Sequence, residues 1–168
     1  NSNTASGRTL DIYGKNTAYT AATDLYDTST QGTKLGSIKY GTSTELVISG
    51  DYEYIGLRSN SGAMYLTEIE ITWETSGSGG DVTPDPEPDQ PGQGGDTAPV
   101  EETLSIFANT GTMSGTSSIS WSGTYFTCTN EKGSTAIRTS DSDHYRVYAN
   151  STLKFTAQDS KKFSKVVI

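Results

Sequence analysis

"KKFSKVVI", residues 161–168, closes the chain on a run that reads as a buried β-strand. Phe163, Val166, Val167 and Ile168 are apolar and mostly β-branched, and no turn, cap or polar tail follows them. A strand of this kind needs partners beside it, so where those partners lie decides how the chain is organised.

Working outward, the preceding residues repeat the same grammar in "TLSIFAN", "SSISWSG", "TYFTCTN", "HYRVYAN" and "STLKFTA". In "YFTCT", period-two alternation sets Tyr125 and Thr127 on one face and Phe126 and Cys128 on the other. The single cysteine, Cys128, excludes an intrachain disulfide framework and a Cys-rich zinc site, and its place in a strand reads as a small buried hydrophobe. A nucleophilic role would need a base, and the one histidine, His144, stands in the polar run "SDSDH".

Residues 76–102, "SGSGGDVTPDPEPDQPGQGGDTAPVEE", hold all five prolines of the chain. Proline cannot complete a sheet ladder, so this stretch is expected to be an extended acidic linker with flexible Gly/Ser ends. It divides the chain into β segments at residues 1–75 and 103–168. Charge follows the same division: residues 1–76 carry net -4, residues 77–102 net -7, and residues 103–168 net +3.

Before the linker, "RTLDIYG", "TKLGSIKYG", "TELVISG", "YEYIGLRS" and "MYLTEIEITW" read as strands separated by tight turns. In "TEIEITW", Ile69, Ile71 and Trp73 alternate with Glu68, Glu70 and Thr72, as in a sheet with one face on a core and one in water. "NTAYTAATDLYDT" is expected to supply at most a turn of helix. Ten tyrosines, four phenylalanines, two tryptophans and 18 glycines in a chain only 32% hydrophobic suit pleated sheets better than helix faces. The expected fold class is all-β, an antiparallel β-sandwich of jelly-roll or immunoglobulin-like type, built as two half or small sandwiches joined by the Pro/Gly-rich linker.

A net charge of -8 argues against nucleic acid as a partner, since phosphate neutralisation needs a basic face. No apolar run approaches the roughly 18 residues of a membrane-spanning helix, so no membrane insertion is expected. The Thr/Ser/Tyr-rich composition and the linker favour an extracellular or bacterial cell-surface setting. No cofactor is expected.

Residues 8–73, closing with "DYEYIGLRSNSGAMYLTEIEITW", resemble the C-terminal half of a β-sandwich module of secreted and surface multidomain proteins of gut Bacteroidota. The stretch "YFTCTNEKGSTAIRTSDSDHYRVYANSTLKFTAQDSKKFSKVVI" is similar to the opening half of the same module. The resemblance implies a non-catalytic structural family with its halves in permuted order, and it carries over no catalytic residues. "DTA", residues 96–98, is similar to the acceptor motif for O-glycosylation in that phylum, which implies Thr97 as the modified residue.

Each half alone would leave an unpaired sheet edge, and such an edge is an association site. The expected edge comprises Phe163, Val166, Val167 and Ile168 at one end and Leu10 and Ile12 at the other. Three arrangements satisfy this reading: closure within one chain, closure between chains into a ring or fibre, or two complete small sandwiches. A linker of about 27 residues at about 3.1 Å each has the reach for either kind of closure.

Adhesion, scaffolding or a stalk role is therefore the leading expectation, with a second copy of the chain or neighbouring modules as partners and no enzymatic activity. The alternative is a carbohydrate-binding module. Sugar rings stack on aromatic faces while amides and guanidinium groups bond their hydroxyls, and the candidates are Tyr13, Tyr19, Tyr26, Tyr52, Tyr54, Arg58 and Asn60. Asp141, Asp143 and His144 offer metal donors, but this spacing is common in solvated turns and no metal is assigned to it. Glu68 and Glu70 share a strand face, which is the ordinary outward face of an amphipathic strand.

Overall fold

A computed structural model describes residues 7–39, 45–66, 68–74, 100–158 and 162–167. The first segment holds β1 (Thr9–Lys15), β2 (Thr33–Lys39), β3 (Glu45–Tyr52), β4 (Tyr54–Ser59), β5 (Met64–Leu66) and β6 (Glu68–Glu74). The second holds β7 (Val100–Ser105), β8 (Thr112–Ser114), β9 (Ser118–Ser122), β10 (Phe126–Glu131), β11 (Tyr145–Val147), β12 (Thr152–Ala157) and β13 (Lys162–Val167). One short 3-10 turn, Asp24–Tyr26, falls where the sequence allows a turn of helix.

The strands form one all-β, sandwich-like fold, and both of its main sheets are shared between the two segments. A seven-stranded antiparallel sheet has the order β2-β1-β4-β12-β10-β9-β8, and a four-stranded sheet has the order β3-β13-β6-β7. The segments meet in the larger sheet where β4 pairs with β12, Ile55 opposite Phe155 and Leu57 opposite Leu153. They meet again in the smaller one, where β13 lies between β3 and β6. Two short strands, β5 and β11, form a ribbon of their own.

This architecture corrects the expected self-association edge. β13 is hydrogen-bonded on both sides within one chain: Phe163 faces Tyr52 and Trp73, Val166 faces Leu46 and Ile71, and Val167 faces Glu45 and Glu70. Leu10 and Ile12 belong to β1, which is likewise interior, between β2 and β4, and both side chains are buried. Ile168 lies outside the described residues. The halves complete one another intramolecularly, a closure favoured by the high effective concentration of tethered partners. Two independent small sandwiches are excluded for the same reason, because neither segment builds a sheet pair alone.

One core runs between the sheets. Phe126 and Phe155 of the larger sheet lie 6.0 Å apart, and Phe126 meets Phe163 of the smaller sheet edge-to-face at 6.4 Å. Leu10, Ile12, Ile55, Leu57, Cys128, Leu153 and Phe155 all point inward at alternate strand positions, as period two requires. Cys128 is fully buried, and burial pushes its thiol well above the ordinary range, which suits the hydrophobe read from "YFTCT".

Three boundaries differ from expectation. Val100, Glu101 and Glu102 are not linker but the start of β7, paired with Trp73, Thr72 and Ile71. "MYLTEIEITW" divides into β5 and β6, which serve different sheets. β8, "TMS", has no apolar pattern to announce it and exists as an edge strand on β9.

Because Phe163 is 2% exposed and joins the two sheets, Phe163→Ala is expected to cost roughly 3–5 kcal/mol in urea or guanidinium unfolding. Deleting residues 162–167 is expected to unfold the chain. Light scattering that showed a folded, dissociated product after the deletion would contradict intramolecular closure.

Candidate functional site

The outer face of the larger sheet is covered. Tyr13, Tyr19 and Leu25 form a second buried cluster with Tyr26 and Tyr54 packed against it, and the segment that carries Tyr19, Leu25 and Tyr26 lies across β1, β4 and β12. Gly56 makes room for it: a Cβ there would stand 2.5 Å from Leu25 Cδ2 and 2.9 Å from Tyr19 Cζ. The segment is tied down by polar bonds to β12 and its neighbours. Lys154 Nζ donates to the Tyr19 carbonyl at 3.0 Å, Thr152 Oγ1 to that of Ala22 at 2.5 Å, and Tyr26 OH to that of Ser151 at 2.7 Å.

The expected platform of tyrosines is therefore not an open face. Tyr13 and Tyr19 are each 3% exposed, and Tyr54 is half-buried against them. Tyr52 belongs elsewhere, its ring packed against the main core and close over Gly14 and Gly50. A covering segment turns the outer face of the sheet at Tyr13 and Tyr54 into a small second core.

At one end of the seam between the halves lies an open cleft of about 390 Å³, lined by Tyr26, Arg58, Ser59, Asn60, Ser61, Ala149 and Asn150. β4 ends at Ser59 and β12 starts at Thr152, side by side, and the chain turns away from the sheet at both places. The departing strands β5 and β11 then pair with one another, Met64 opposite Val147, so the two turns stand as opposing walls.

Each wall is built from local chemistry. In the first, Ser59 Oγ donates to the Gly62 carbonyl, Asn60 N donates to the Thr9 carbonyl at 3.0 Å, and Thr9 N returns a bond to Asn60 Oδ1 at 3.0 Å. Asn60 remains exposed. In the second, Ser151 N donates to the Tyr148 carbonyl at 3.2 Å, and Asn150 takes φ 62°, a left-handed conformation that asparagine tolerates better than most residues. Gly133 passes so close to this turn that a Cβ on it would meet the Asn150 carbonyl oxygen at 1.9 Å.

Arg58 forms the floor. Its Nη1 donates to the Leu25 carbonyl at 2.7 Å and its Nη2 to Tyr13 OH at 2.8 Å, while Nε lies 4.0 Å from Asp11 Oδ2. The guanidinium sits between the rings of Tyr13 and Tyr26, 5.1 and 5.2 Å from their centroids. Asp11 in turn accepts from Ser37 Oγ at 2.6 Å and Lys34 Nζ at 3.1 Å. Burial opposes its ionisation, but these bonds and the charges of Lys34 and Arg58 outweigh it, and the carboxyl titrates below the usual aspartate range.

Of the sequence candidates, Tyr26, Arg58 and Asn60 are brought together here. Ser59, Ser61, Ala149 and Asn150 join them from outside the sequence candidates, although "YANS" carries the turn signal in its asparagine. Asp141 and His144 do meet, but with arginines around them: Asp141 lies 2.9 Å from Arg138, 3.2 Å from Arg146 and 3.4 Å from His144 Nε2. His144 Nδ1 faces Asp143 at 2.7 Å, so both ring nitrogens are engaged in a network that holds the loop. That loop is further fixed where Ala108 and Asn109 donate to the His144 and Asp141 carbonyls. Among the described residues no group of three ligands converges. Glu68 and Glu70 sit on β6, in the smaller sheet, and Thr97 lies outside the described residues.

No family model, curated protein or solved structure matches the chain.

Burial pushes the Tyr26 phenol up to about 12 from an ordinary 10.0, against the opposing charge of Arg58. A raised phenol stabilises the fold fully below its unfolded value, and that contribution is lost as pH climbs from about 10 to about 12. Tyr26→Phe is expected to show a flatter decline of its urea midpoint across this window than the parent chain. Identical slopes would mean that Tyr26 ionises as an exposed phenol does.

Proposed function

We propose that this chain is a non-catalytic, extracellular binding module that recognises carbohydrate in the cleft at the seam, and that it serves adhesion by that means. The observation that carries the reading is the lining: one aromatic ring, one guanidinium, two asparagines and two serines around about 390 Å³. Sugars present alternating hydroxyls and C–H faces, and a site for them combines planar donors and acceptors with aromatic surface. None of the described residues lining the cleft is a carboxylate, so these groups offer neither the acid nor the base that glycoside cleavage needs. Binding without turnover is what these groups support.

The composition rich in Thr, Ser and Tyr supports the extracellular setting. Head-to-tail assembly has lost the observation that motivated it, because β13 and β1 are paired on both sides.

Asn150→Gly is the sharpest variant. Glycine accepts the same positive φ and removes the side chain with its carboxamide, so the fold is expected to be retained with little change in melting temperature. Affinity for a glycan identified on an array is expected to fall about tenfold, the cost of a lost hydrogen bond at a desolvated contact. An array on which the folded parent chain binds no glycan would refute the reading.

A further inference from the structure

We infer that the saccharide held in this cleft is acidic, a pyranose bearing a carboxylate, and that Arg58 is the residue that selects it. The inference rests on the carbohydrate reading above and adds a charge requirement to it.

Among the described residues Arg58 is the only charged group lining the cleft, in a chain whose net charge is -8. A lone cation facing an opening runs against the sign of the whole molecule, and its own counter-charge is incomplete. Asp11 is the acid nearest to it in the network beneath the cleft, yet it stands 4.0 Å from Nε and is shared with Lys34 at 3.1 Å. One carboxylate set against two cations leaves the group of Asp11, Lys34 and Arg58 one positive charge in excess. Of the two cations it is Arg58 that lines the cleft.

The fork is also set in place before any ligand arrives. Of five N–H donors in a guanidinium, Nη1 spends one on Leu25 and Nη2 one on Tyr13, and Nε is buried without a hydrogen-bond partner 4.0 Å from Asp11, so one N–H on each Nη is left over. Tyr13 and Tyr26 hold the plane between their rings. Two donors on adjacent nitrogens of a fixed plane suit the two oxygens of a carboxylate, which a hydroxyl cannot match. The neutral amides of Asn60 and Asn150 stand on the two walls, where they suit the ring hydroxyls.

Two sources supply such a carboxylate: a uronic acid within a polysaccharide and a terminal sialic acid on a glycoprotein. Isothermal titration of the intact chain at low salt would compare an oligogalacturonate with its methyl ester, and sialyllactose with lactose. The inference expects one acidic member to bind at least about tenfold more tightly than its neutral counterpart, with the preference shrinking as salt is added. Which pair shows it identifies the source.

Arg58→Lys keeps the charge and loses the planar fork, so it is expected to abolish most of that preference. Should this variant fail to fold, the comparison between paired ligands on the parent chain decides the matter alone. Equal affinity for acidic and neutral members would overturn the charge requirement and leave the carbohydrate reading standing. Binding to none of the four ligands would overturn the inference, and a blank glycan array would take the carbohydrate reading with it.

Discussion

The antiparallel pairing of β4 with β12 is the contact on which the rest of this structure depends. It sets Ile55 beside Phe155 and Leu57 beside Leu153, side chains at most 1% exposed that come from opposite sides of the proline-rich stretch. Each fully buried residue of this size contributes about 1.5–3 kcal/mol, so four at one junction outweigh any surface attraction between segments of opposite charge. With that junction made, β1 and β2 extend the sheet one way and β10, β9 and β8 the other. The second sheet repeats the solution, with β13 inserted between strands of the first segment.

The same junction explains why the cleft lies where it does. β4 ends where β12 begins, and a turn links each of them to a short strand, β5 after β4 and β11 before β12, that has no place in either main sheet. Those strands, β5 and β11, satisfy their backbone groups on one another, which holds the turns apart as walls. The floor, Arg58 of β4, is held by the covering segment, whose close approach at Gly56 brings Leu25 and Tyr26 down beside it. A cleft built by three separate stretches of chain exists only in the closed fold.

Much of the fold was legible because period-two alternation survives in the sequence. "YFTCT" assigns its faces correctly, and Phe126 and Cys128 are both fully buried. Other parts were not legible, for reasons that are physical. Alternation tells which side of a sheet a side chain takes, but not whether another segment lies over that side, so Tyr13 of β1 is core beneath the segment that carries Tyr19. "VEE" at residues 100–102 carries two acids beside a proline run and reads as linker, yet its backbone completes the ladder on β6. The cleft escaped recognition as a unit because Asn60 and Asn150 become neighbours only through the β4–β12 pairing.

The outer cluster also bears on how the cleft works. Arginine loses much side-chain freedom when it is fixed, and a binding site that must fix it on contact weakens its own affinity. Here the fixing is done by the fold: two ring faces, a carbonyl, a phenol and a shared aspartate hold Arg58 in one place. The tyrosines that fail as an open platform thus act one layer down, as the support that orients the guanidinium. Tyr26 joins both roles, since it bonds the Ser151 carbonyl across the seam and lends its ring to the cleft. Burial of the aromatic cluster and order at the site are consequently one event, and a change that loosens the cover at Gly56 or Leu25 reaches the cleft through Arg58.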